Sequence, residues 1–104
     1  MSRFQIQIAE AAQQDLAGIV DYIANHLRER QTALNQLARL QEAIDSLQEM
    51  PERQSLVHDN YLSLLGIRKI PVDNYLVFYL VDNNRHIVHI IRVLYAKREW
   101  EKLL

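Results

Sequence analysis

The run Tyr75-Leu76-Val77-Phe78-Tyr79-Leu80-Val81 holds no charged or small polar residue. A strand with one wet face alternates apolar with polar, so an unbroken apolar run of this length reads as a central strand covered on both faces. Turn chemistry brackets it, with Asp73-Asn74 before and Asp82-Asn83-Asn84-Arg85 after; Asp and Asn tolerate left-handed backbone better than most residues. Ahead of the first turn, Ile67 to Val72 form a second strand. Pro71 cannot donate to a ladder, which places that strand at an edge or a bulge. Beyond the second turn, Ile87 to Tyr95 form a β-branched run interrupted by His89 and Arg92. Hairpins in succession imply a mostly antiparallel sheet.

Upstream the periodicity changes twice. Phe4, Ile6 and Ile8 alternate with Arg3, Gln5 and Gln7, as in a short strand with one buried face. Leu16, Ile19, Val20, Ile23 and Leu27 then fall at helical spacing, which predicts a helix over residues 9–28. The charged run Arg28-Glu29-Arg30 breaks the stripe. Thr32 is placed to cap a second helix with apolar positions Leu34, Leu37, Leu40, Ile44, Leu47 and Met50. Pro51 stops it. Residues 52–64 read as a loop or short turn, and residues 97–104 as a closing helical turn. The order is βααβββ, an α+β fold with a helical hairpin packed on one sheet. A central strand apolar on both sides leaves one sheet face for a partner protein, because monomers seldom expose a large apolar patch.

The 104 residues fit one domain spanning 1–104, with 49% hydrophobic side chains to fill one core. Twelve basic and thirteen acidic groups give a net charge of −1, so there is no global field to hold nucleic acid, and any anion site must be local. The absence of cysteine excludes disulfides and thiolate metal sites and fits a cytoplasmic home. No segment approaches the roughly 20 apolar residues of a membrane span. With only Gly18 and Gly66 there is no glycine-rich phosphate loop. His26, His58, His86 and His89 lack metal-ligand spacing, so no metal or cofactor is expected. His89 on a strand is a candidate general acid or base, since an unperturbed imidazole changes charge near neutrality, although a half-buried strand histidine is the plainer reading. A more suggestive set is Arg68 and Lys69 on one strand, Arg92 on another, then Tyr95, Lys97, Arg98 and Trp100. Guanidinium groups bind phosphate in pairs of hydrogen bonds and aromatic rings stack on bases. Basic residues at strand ends are also often simply solvated.

The stretch Gly66-Ile-Arg-Lys-Ile-Pro-Val-Asp-Asn-Tyr-Leu-Val-Phe-Tyr79 and the close Ile91-Arg-Val-Leu-Tyr-Ala-Lys-Arg-Glu-Trp-Glu-Lys-Leu-Leu104 resemble the second half of RelE/ParE superfamily toxins. Ala12, Asp15-Leu16, Ile19 and Tyr22-Ile23 resemble that family's first-helix pattern, and Ser46-Leu47 with Met50-Pro51 the end of its second helix. The resemblance implies a helical hairpin against a twisted sheet, and a toxin of a type II toxin–antitoxin system of the kind that stabilises plasmids. It also implies a cognate antitoxin, bound as a hetero-oligomer, with a homodimer as a further possibility.

Two targets divide the superfamily. For a RelE-like, metal-independent mRNA endonuclease on the translating ribosome, the resemblance makes Arg68, Arg92, Tyr95 and Arg98 the catalytic candidates. For a ParE-like inhibitor of DNA gyrase, it makes Lys69, Lys97, Arg98 and Trp100 the target-binding ones. RelE-like chains tend to read Tyr-Arg-Val-x-Tyr where this one reads Tyr75-Leu76-Val77-Phe78-Tyr79, so leucine replaces a phosphate-binding arginine. Lys97-Arg98-Glu99 resembles a RelE-like segment. Arg92-Val-Leu-Tyr95 resembles the ParE-like Arg-Val-Leu-His, with tyrosine where histidine is usual. The balance favours gyrase; a relative that binds antitoxin without poisoning anything is the third alternative.

Overall fold

The computed structural model describes residues 3–98 and 100–104. Strand β1 (Gln5–Ile8) leads into helix α1 (Glu10–Asp21), which continues as a π-helical turn over Tyr22–His26. Helix α2 (Arg30–Ser46) returns antiparallel, and a short helix α3 (Asn60–Leu64) precedes β2 (Arg68–Val72), β3 (Tyr75–Asp82) and β4 (Ile87–Tyr95). The sheet order is β1-β4-β3-β2; β1 pairs parallel with β4, and the other two pairings are antiparallel. Pro71 lies in the edge strand β2, where a missing N–H costs no central ladder bond.

Strand parity sorts the apolar run of β3 onto two faces. Val77 and Tyr79 join Leu40, Ile44 and Leu47 of the helical layer, with Val88, Ile90 and Val93 of β4 alongside. Tyr79 is fully buried there and donates its hydroxyl to the Pro51 carbonyl at 2.7 Å. Burial pushes that phenol up to about 12. On the other face, Leu76 and Phe78 pack with Val57, Leu62, Ile67 and Leu94. Trp100, Leu103 and Leu104 lie against this second cluster. The second face is therefore covered by the chain itself, and the expectation that it is left for a partner is corrected. The cover comes from α3 and the closing turn, both built from segments with weak periodicity.

The pairing of β3 with β4 slips at one place: Phe78 lies opposite Arg92, but Tyr79 lies opposite Ile90. One extra residue in β4 makes a bulge and reverses its parity. Val88 and Ile90 before it, and Val93 after it, can thus all face the helices.

Three local readings need adjustment. The first helix ends in the π turn, where the Leu27 N–H reaches back five residues to the Tyr22 carbonyl at 3.1 Å, and Arg28 turns the chain at φ 55°. The second helix starts at Arg30 rather than after Thr32; Thr32 lies in its first turn and donates to the Glu29 carboxylate at 3.0 Å. Within residues 52–64, α3 is capped by Asp59, whose carboxylate accepts from the Leu62 N–H at 3.0 Å. Gly66 at φ 83° ends it, with bonds from Gly66 N–H to Ser63 and from Ile67 N–H to Leu62.

Candidate functional site

An open cleft of about 860 Å³ lies where the end of α1 and the start of α2 face the Tyr75–Tyr95 end of the sheet. Its walls include Gly18, Ile19 and Tyr22 from the first helical segment, Gln36 from α2, Asn74 and Tyr75 at the start of β3, and Tyr95 with Arg98 beyond β4. The register places Tyr75 opposite Tyr95, and their rings meet edge to face with centroids 6.0 Å apart. Burial raises the pKa of the Tyr75 phenol, and the neighbouring phenols of Tyr95 and Tyr22 push in the same direction, so it stays a neutral donor. Tyr22, Leu27 and Tyr95 are 49%, 54% and 40% exposed, which leaves an aromatic and aliphatic rim open to solvent.

Asp15 belongs to the same wall and is already engaged. It accepts from Arg92 Nε at 2.7 Å and Nη2 at 2.9 Å, and from the Val93 N–H at 2.9 Å. The two side chains are only 14% and 24% exposed. Past Ile90, β4 has no β1 partner, and the Asp15 carboxylate satisfies the Val93 N–H there. Arg92 also donates to the Leu103 carbonyl at 3.0 Å, tying the helical layer to the closing turn across the sheet edge. The hydrogen bonds that Arg92 donates to Asp15 raise the guanidinium pKa further. At the cleft's other side, buried Gln36 and exposed Arg39 both donate to Asp73, at 3.0 and 2.6 Å. Arg39 first and Gln36 second hold the Asp73 carboxyl below its usual value.

The residues singled out from sequence separate into distinct places. Tyr95 and Arg98 meet at the cleft. Lys69 and Trp100 are together on the opposite sheet face, with the ammonium 5.5 Å from the indole centroid and the indole 5.0 Å from the Phe78 ring. Lys97 is exposed in the turn after β4. Arg68 donates to the carbonyls of Glu52 at 3.2 Å and Gln54 at 2.6 Å, with the Glu52 carboxylate 3.7 Å away. Arg68 pairs with Tyr79, whereas Tyr95 pairs with Tyr75. Four residues of strand separate those positions by about 13 Å along the sheet. His89, half-buried between Gln7 and Leu80, borders a shallow hollow beside Asp82, Asn83 and Asn84. Among the described residues no group of three or more His, Asp or Glu is arranged to hold a metal ion, and no helix is long and apolar enough to cross a membrane.

The family described as the ParE toxin of the type II toxin–antitoxin system parDE matches residues 6–100. The chain belongs to the ParE toxin family. No curated protein matches the sequence. Solved structures share the fold at low identity. The chromosomal ParDE toxin–antitoxin system of P. aeruginosa matches with a TM-score of 0.75 at 16% identity, over 91% of this chain and 98% of that one. The RelBE2 toxin–antitoxin complex of Mycobacterium tuberculosis matches at 0.65 and 20%, over 89% and 98%. A free E. coli RelE mutant matches at 0.65 and 14%, over 91% and 85%. Within this ParE-family fold, sequence reasoning missed the cleft contributions of Asp15, Tyr22, Gln36 and Tyr75. Asp15 carried a usable signal, since it sits on the buried stripe between Ala12 and Ile19, where a carboxylate needs a partner.

Proposed function

We propose that this ParE-family toxin inhibits growth by binding a protein target, DNA gyrase, and that a cognate antitoxin silences it. The observation that carries this reading is the commitment of two arginines to internal acceptors. Arg68 holds loop carbonyls and Arg92 holds Asp15 and Leu103. A metal-independent ribonuclease needs several cations converging on one scissile phosphate; here the guanidinium groups of Arg68 and Arg92 are spent in holding the fold, and Leu76 is buried rather than cationic. Exposed Tyr95, Lys97 and Arg98 instead suit a protein-binding rim, as tyrosine and arginine often do at interface hot spots. The ParDE and RelBE neighbours are toxin–antitoxin assemblies, which supports an antitoxin partner.

The test is a paired assay of the purified chain on gyrase supercoiling and on mRNA in a translating extract. Inhibited supercoiling with intact mRNA is expected, and Arg98→Ala weakens the inhibition about tenfold or more. Codon-positioned cuts with normal supercoiling would transfer the protein to the endonuclease class, with Arg98 and Tyr95 as its reactive groups. Neither effect at excess protein would leave an antitoxin-binding relative without a target.

A further inference from the structure

We propose that β1 is a dimerisation edge, on which a second copy of this chain lays its own β1 antiparallel, joining the four strands of each copy into one sheet. The inference goes beyond the toxin reading and holds whatever the target is. It starts from the two edges of the sheet, because an edge strand offers unpaired main-chain groups to any strand that fits it. The β2 edge is closed. Its Lys69 N–H is taken by the Ser55 carbonyl at 3.2 Å, and the next outward position is Pro71, which has no N–H to give. The β1 edge is open. Gln5 and Ala9 donate inward, to the His86 and Ile90 carbonyls at 2.8 and 2.9 Å, so Phe4, Ile6 and Ile8 turn their main-chain groups outward. The Phe4 N–H donates to the Gln48 carbonyl at 2.9 Å, and the Ile8 carbonyl accepts from the Gln13 side chain at 2.9 Å. Among the described residues, the Ile6 N–H and carbonyl, the Ile8 N–H and the Phe4 carbonyl have no hydrogen-bond partner.

What fits this edge is the edge itself. In an antiparallel pair centred on Ile6, the two Ile6 residues exchange N–H···O bonds, and each Ile8 N–H meets the Phe4 carbonyl of the second copy. The two groups already occupied, the Phe4 N–H and the Ile8 carbonyl, are each other's partners in that register, so pairing needs no internal bond to break. The side chains agree. Phe4, Ile6 and Ile8 pack towards the helical layer, and the register sets Ile6 against Ile6 and Phe4 against Ile8 on that face. Exposed Gln5 falls opposite Gln7 on the other face, where amides exchange hydrogen bonds without bringing like charges together. A shift of one residue would set Gln against Ile and turn the second copy's helices to the opposite face. At each end, exposed Arg3 of one copy falls beside the Ala9–Glu10 corner of the other, a basic side chain against an acidic one. So short an edge makes an interface below the ~1,200 Å² of a standard complex, and the dimer is accordingly weak and concentration-dependent.

Sedimentation velocity on the purified full chain, between about 1 µM and about 1 mM, is expected to show monomer passing to dimer and no larger species, since the β2 edge is closed. Charge then reads the register. Gln5→Lys combined with Gln7→Lys sets like charges opposite each other at two places and weakens association about tenfold or more. Gln5→Lys combined with Gln7→Glu sets opposite charges there and restores association to within about threefold of the wild type. Both variants change only exposed side chains, and circular dichroism spectra equal to the wild type exclude misfolding. Monomer at every concentration, growth beyond two copies, a dimer untouched by the two lysines, or equal loss in both double variants would each overturn the proposal. A chain that stays monomeric, and whose Ile6 amide is protected from hydrogen exchange only when it is co-purified with its antitoxin, would also overturn it, in favour of a strand from that partner.

Discussion

Asp15 shows how much one side chain can organise. Its carboxylate neutralises a half-buried arginine, caps a strand N–H and, through Arg92, reaches the closing turn. Asp15→Ala leaves a guanidinium and an N–H without their acceptor in a largely dry place, and should cost about 3 kcal/mol, the lower end for a broken buried pair. Urea denaturation checks this; a loss well under about 1 kcal/mol would mean that water replaces the carboxylate freely. Asp73 offers a titration test. Its folded pKa is depressed by Arg39 and Gln36, so the stability it contributes is present above the ordinary carboxylate range and is lost as pH falls through the lowered value. Asparagine tolerates the φ of 54° at this position and removes only the charge. The melting temperature of Asp73→Asn should lie below that of the wild type at neutral pH and converge with it in acid, below the ordinary carboxylate range. A gap that persists in acid would assign the difference to geometry instead of charge. None of these partnerships was legible beforehand, since Asp15 and Arg92 are 77 residues apart and spacing alone does not reveal such a pair.

Elements were far more readable. The apolar run of β3, the bounds of β4 and the two helical stripes follow from period and turn chemistry, because burial imposes that period directly. Three elements escaped for identifiable reasons. The π turn at Tyr22–His26 is a single turn, too short to impose a period of its own on the sequence, so the apolar stripe reads straight through it. Helix α3 is too short for a stripe. The bulge in β4 shows only as a change of parity, which His89 and Arg92 disguised as polar interruptions. Helix α1 gives the prediction at this scale. Because a Cβ at Gly18 meets open space and the backbone is helical, Gly18→Ala should stabilise the protein by about 1 kcal/mol and raise its melting temperature by about 4–8 °C. An unchanged or lower melting point would mean that α1 relies on flexibility at that residue.

At the scale of the whole molecule, sequence reasoning anticipated one covered face of the sheet and left the other to a partner. The second face is closed by Trp100, Leu103, Leu104 and the α3 segment, and the large apolar side chains open to solvent lie elsewhere, Tyr22, Leu27 and Tyr95 around the cleft and Tyr61, Leu64 and Leu65 on and after α3. Tyr95 and Arg98 were identifiable as candidates, but the topology that joins them to Tyr22 and Gln36 was not. That topology also sets a schedule. The parallel ladder joins Gln5–Ile8 to Ile87–Ile90, about eighty residues later in the chain. Loop closure on that scale slows folding, and β1 has no strand to pair with until β4 has been made. While the ribosome is still synthesising the middle of the chain, the cleft cannot exist, since its walls run from Gln14 to Arg98. A cleft assembled in this order is complete only after β4 and Arg98 have been made, whatever the helical hairpin has already done.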